Sequence, residues 1–183
     1  MDDPDGLAQH PDLAAAGAAM RAAWREDQEA ATRDAAEDWA HRQTLSDRLR
    51  AHMHRGDVLA VTVAGTHFVG LVEEVGGDLL AVRTPTGRVD IHLAPTVPLL
   101  VEVATRAIEG GHRGTDAAGG RFIQALRARE RDPRATVGTV HDPTGVDGHL
   151  VVGADHVVIG RASAGELVVP LAGVAWVAPC RSG

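Results

Sequence analysis

The densest titratable group in this chain is His141, Asp142, His149, Asp155 and His156. Three imidazoles on strands or turns make a donor set that suits zinc, so they are the first candidates for a metal. Nothing in their spacing requires them to converge, and histidines in loops are ordinarily solvated. His52 and His54 stand at a helix end two positions apart, where side chains diverge rather than face each other. The serines are Ser46, Ser163 and Ser182, and none sits in the strained G-x-S-x-G turn that exposes a nucleophile. No glycine loop of the phosphate-cradling kind occurs. The single cysteine, Cys180, cannot form an intrachain disulfide and fits a reducing compartment. These residues predict no catalytic site, no cofactor and no metal.

A second chemistry is charge. All 18 basic side chains are arginine, and the 183-residue chain carries a net charge of −7. Such a balance repels phosphate backbones and disfavours tight nonspecific nucleic-acid binding. The exception is a mildly positive stretch in which Arg121, Arg127, Arg129, Arg131 and Arg134 cluster, interrupted by Glu130 and Asp132. An RNA- or DNA-binding regulator using that arginine surface is therefore the alternative reading. The start is acidic, unlike a secretory signal, and no apolar run reaches the roughly 18 residues of a membrane span. The expectation is a cytoplasmic protein with no membrane partner.

These residues are carried by two kinds of element. From Asp12 to about Arg42 the composition is that of a helix, rich in Ala, Arg, Glu and Gln, without proline. Trp24 and Trp39 lie about 60° apart on it and share a stripe with Ala31 and Ala35, which packs on the chain's own β units or recruits a partner. A second helix follows Thr44, with Leu45, Leu49 and Met53 on one face. The period then changes from 3.6 to 2. Short alternating strands are expected near residues 59–63, 67–75, 78–83, 88–93 and 97–103. The segment 109–120 is glycine-rich. A short helix opens at Phe122 and is stopped by Pro133, and strands recur near 135–140, 146–152, 155–161, 166–171 and 174–178.

The second run repeats the first. Val75-Gly76-Gly77-Asp78 matches Val152-Gly153-Ala154-Asp155, Gly70 matches Gly148, and Gly87 matches Gly165. Ile91-His92-Leu93-Ala94 matches Val169-Pro170-Leu171-Ala172, and the offset stays at 77 or 78 throughout. A helix followed by five strands, with glycine in the second and a turn-Gly-x-Asp into the third, resembles the Sm-like (Lsm) fold. The tandem arrangement resembles that of uncharacterised actinobacterial Sm-like proteins. The resemblance implies a mainly β protein with an N-terminal helical segment and two tandem five-stranded barrels, each preceded by a helix. Its divisions are a helical arm (1–42), a first barrel (43–104), a linker (105–120) and a second barrel (121–183).

Sm-like proteins typically bind RNA through an aromatic and an Asn that follow the opening Asp of the third strand. Asp78 and Asp155 keep the acid, but Leu80 and Val157 stand at the aromatic position and Val82 and Ile159 at the Asn position. After the fourth strand come Ala94-Pro95 and Ala172-Gly173, without the family's arginine. These residues can neither stack a base nor read its edge, and the two Asp are expected to serve their turns. The function expected is a non-catalytic scaffold or regulatory adaptor, working through a protein partner or self-association at the N-terminal helix or a barrel edge. In Sm-like rings the fourth strand pairs with a neighbour's fifth. Pro170 in the second copy's fourth strand lacks a donor there, so a monomer or closed dimer is expected.

Overall fold

A helix-forming composition with one interior glycine produces α1 (Pro11–Arg42). Proline stands at its first position, where its missing N–H costs nothing. This computed structural model describes residues 11–108, 114, 120–142, 144–161 and 165–180. The chain forms two units, residues 1–44 and 45–183.

The second unit opens with α2 (Leu45–Arg55), whose buried face is Leu49 and Met53. Five strands follow: β1 (Val58–Val63), β2 (Thr66–Val75), β3 (Leu79–Thr84), β4 (Gly87–His92) and β5 (Leu99–Thr105). After α3 (Phe122–Arg129) come β6 (Ala135–Thr139), β7 (Val146–Val152), β8 (His156–Arg161), β9 (Gly165–Pro170) and β10 (Val174–Pro179). Most of the glycine-rich segment 109–120 lies outside the described residues.

The strands do not close into the two separate barrels that the sequence led us to expect. They form one open antiparallel sheet of ten, in the order β5-β1-β2-β3-β4-β10-β6-β7-β8-β9. The physical cause is the pairing of β4 with β10, Trp176 opposite Ile91 and Val177 opposite Asp90. An unpaired strand edge exposes a row of donors and acceptors, and this junction removes two such edges at once. It also exchanges side chains. Ala175 and Trp176 of β10 are buried in the hydrophobic cluster of the first five strands, while Leu79 of β3 belongs to the cluster of the second five.

On either side of the junction the order is the same, fifth-first-second-third-fourth. Equivalent backbone bonds close the turns: Gly76 N–H donates to Leu79 O and Gly153 N–H to His156 O. Leu93 N–H reaches Asp78 O and Leu171 N–H reaches Asp155 O, both at 2.8 Å. The second strand of each set is bent. β2 pairs with β1 up to Leu71 and with β3 from Leu71 on, and β7 changes partner between Gly148 and His149. Glycine is required at both bends, because a Cβ on Gly70 would collide with Arg83 O and one on Gly148 with Gly160 O.

Candidate functional site

The arginine group is the first to be placed. Arg121, Arg127, Arg131 and Arg134 are exposed around α3, but Arg129, at the centre of the group, is not available. Its Nη2 donates to Asp90 Oδ2 at 3.0 Å and to Arg88 O at 2.8 Å, and its Nη1 to Asp132 Oδ2 at 3.3 Å. Asp90 is buried on β4 and also accepts from Arg88 Nε at 2.6 Å, while Arg88 Nη2 reaches Glu74 Oε2 at 2.8 Å. A buried carboxylate held by two guanidinium groups is an anchor between α3 and β4. Asp78 belongs to the same anchorage. Instead of serving its own turn it accepts from Phe122 N–H at 2.7 Å, holding the first residue of α3. The Phe122 ring stacks on His92, with centroids 4.5 Å apart.

The histidines are not brought together. His156 Nδ1 lies 2.8 Å from Asp155 Oδ1, whose pKa that contact lowers. His141 and His149 are exposed. Among the described residues no group of three or more His, Cys, Asp or Glu is arranged to hold a metal ion. Ser163 and Ser182 lie outside the described residues. Asp57 is the most perturbed carboxylate. It is buried, takes a bond from His52 Nδ1 at 2.8 Å and further bonds from Ala107 N–H at 3.0 Å and Arg55 Nε at 2.9 Å. The His52 bond, then the Ala107 bond, hold its pKa at about 2. It fastens the segment after β5 to the end of α2, which is a structural task. Leu80, Val82, Val157 and Ile159, the positions at which the Sm-like resemblance would imply base contacts, are all core residues.

The remaining features are surfaces. On α1, Trp24 and Trp39 are 62% and 65% exposed. In the second unit, β5 and β9 each have a strand on one side only among the described residues. Their ladders identify what those edges are. Gly70 opposes Leu59 and Leu59 opposes Val103, as Gly148 opposes Ala135 and Ala135 opposes Pro179. Counting along the two ladders, Leu100 occupies on β5 the place of Trp176 on β10, facing Thr62 where Trp176 faces Gly138. Trp176 is buried against Phe68 at the β4 junction, whereas Leu100 is 58% exposed. At the other end, Val168 of β9 stands 60% exposed where β4 carries Asp90. Leu171 N–H points inward to Asp155 O, so by the period of two the nitrogen of Pro170 faces away from β8.

No family model, curated protein or solved structure matches. The chain's own geometry therefore carries the functional reading. The sequence alone singles out Trp24, Trp39 and Pro170 and passes over the exposed Leu100 and Val168. A repeat register drawn through β1 and β6 would have shown Leu100 aligned with a buried tryptophan. Of the barrel edges expected to serve association, the fourth strand of the first copy is occupied by β10.

Proposed function

We propose that the protein is a non-catalytic scaffold or regulatory adaptor that self-associates through the free edge of β5. The carrying observation is the exposed Leu100, an apolar side chain at the register position that Trp176 fills at the buried β4–β10 junction. Val103 adds a second partly exposed apolar group, and no proline interrupts β5. The β9 edge is poorer, because Pro170 offers no outward donor and removes about one ladder bond, roughly 1 kcal/mol. The occupant of β5 is thus β5 of a second copy, in a two-fold, closed dimer that leaves α1 and its exposed tryptophans for a further partner. A relationship to the Sm-like family belongs to the same reading. What supports it is that a fourth strand pairs with a fifth inside one chain, the contact that family makes between subunits. Arg129 is committed to Asp90, which weakens the nucleic-acid alternative. No helix among the described residues is long and apolar enough to cross a membrane, and the setting we propose is the cytoplasm, on the strength of the lone Cys180.

Light scattering on the purified chain, with Leu100→Lys and Val168→Lys variants, tests the assembly. A dimer that Leu100→Lys splits and Val168→Lys leaves intact is the expected outcome. A monomer at all concentrations removes self-association. A larger series dissolved by Val168→Lys replaces the two-fold geometry with head-to-tail pairing of β9 on β5.

A further inference from the structure

The junction of β4 with β10 leaves a concavity of about 280 Å³ on one side of the sheet. It is formed by the ends of β2, β4 and β10, the β3–β4 turn and the β6–β7 turn, so both halves of the sheet contribute to its walls. One wall is aromatic. Phe68 and Trp176 meet edge to face, with centroids 5.1 Å apart and planes at 75°. The polar lining is Thr86, Thr136 and Thr144 with Asp147. Thr136 Oγ1 donates to Asp147 Oδ1 at 2.5 Å, and this fixes the direction of the carboxylate while Oδ2 keeps its accepting capacity. An apolar wall with a few placed polar groups is the usual make-up of a small-ligand site.

Charge selects the ligand. Asp147 is the only ionisable side chain among the described residues that line the cleft, and none of those residues is an arginine or a histidine. A phosphate or carboxylate would meet a like charge and no cation among them. An ammonium group would meet a carboxylate, hydroxyl oxygens and an aromatic lining, surroundings that favour positive charge. The floor is closed by glycine. A Cβ on Gly145 would press on the Trp176 ring, and one on Gly87 would touch Pro179, so each turn lies close against β10 only because it carries no side chain there.

We infer that this cleft binds a small organic amine as its ammonium ion, held between Asp147 and the Phe68–Trp176 wall. The site is independent of the β5 edge and of the assembly proposed above. Binding spans the junction, so an occupied cleft ties the two halves together and raises the stability of the unit.

The buried tryptophan supplies its own reporter. In a Trp24→Phe/Trp39→Phe chain, Trp176 is the sole indole. Titration with n-butylammonium and tetramethylammonium at constant ionic strength is expected to change its emission saturably, with dissociation constants around the millimolar range. Sodium butanoate and 1-butanol are expected to give no saturable change. Asp147→Asn should weaken ammonium binding about tenfold, as for loss of one charge partner. Thr86→Lys, which carries a fixed cation to the mouth, should do the same, and circular dichroism checks that both variants are folded. Absence of saturation overturns the inference, as does equal binding of butanoate or a folded Asp147→Asn that binds as well as its parent.

Discussion

At the scale of single residues, two buried carboxylates determine where the helices sit. Asp90 receives α3 through Arg129, and Asp57 receives the end of α2 and the strand exit at Ala107. Their partners are distant in sequence, 39 residues for Arg129 and 50 for Ala107. That separation explains why Arg129 read as one member of a surface cluster. The local pattern Arg-Ala-Arg-Glu-Arg-Asp contains nothing that distinguishes the arginine that turns inward. Asp57 has a measurable consequence. Its folded pKa of about 2 lies below the ordinary 3.8, so the unfolded chain binds the proton more readily. Its contribution to stability is therefore complete above about pH 3.8 and is lost as the pH falls through 2. Urea midpoints measured between pH 2 and 6 should fall more steeply for the parent than for Asp57→Asn, which is less stable at neutral pH but flatter in acid. Parallel curves would show that another group governs the acid limb.

At the scale of elements, alternation made the strands legible, and all ten appear within two residues of their expected ends. Period-two patterning shows which face of a strand is buried, but it is silent on which strand lies beside which. The β4–β10 pair was therefore invisible. Ile91 and Trp176 lie in strands of different copies, and nothing local says that they face each other. The bends were half legible, since Gly70 and Gly148 stood out as repeat markers before their reason was known. That reason predicts an asymmetry among glycines. Gly70→Ala drives a Cβ into the Arg83 carbonyl and should cost about 1–3 kcal/mol or more, as overpacking against backbone does. Gly160→Ala meets only His149 O at 3.7 Å, an ordinary contact, and should change stability by less than about 1 kcal/mol. Urea denaturation of the two variants decides the matter, and equal losses would mean that the bend at Gly70 relaxes.

At the scale of the whole second unit, two clusters of side chains are coupled because each borrows from the other's strands. Trp176 fills the first cluster from β10, and Leu79 fills the second from β3. Truncating Trp176 to Leu should cost about 2–5 kcal/mol and loosen both halves together. Hydrogen exchange is the direct measurement. Amides of β2 and β7 should show the same opening free energy in the parent and should fall in step in Trp176→Leu. A variant in which β2 alone loses protection would show two independent halves.

The position of β10 also has a bearing on biosynthesis. It is translated after every other strand, yet its place is the middle of the sheet, between β4 and β6. Until residues 174–179 have left the ribosome, β4 and β6 each lack the partner that lies between them in the finished sheet. Those waiting edges outlast strand pairing itself, which takes microseconds against the fraction of a second needed to add six residues. The nascent protein thus passes through an interval in which it exposes two strand edges that the finished sheet covers.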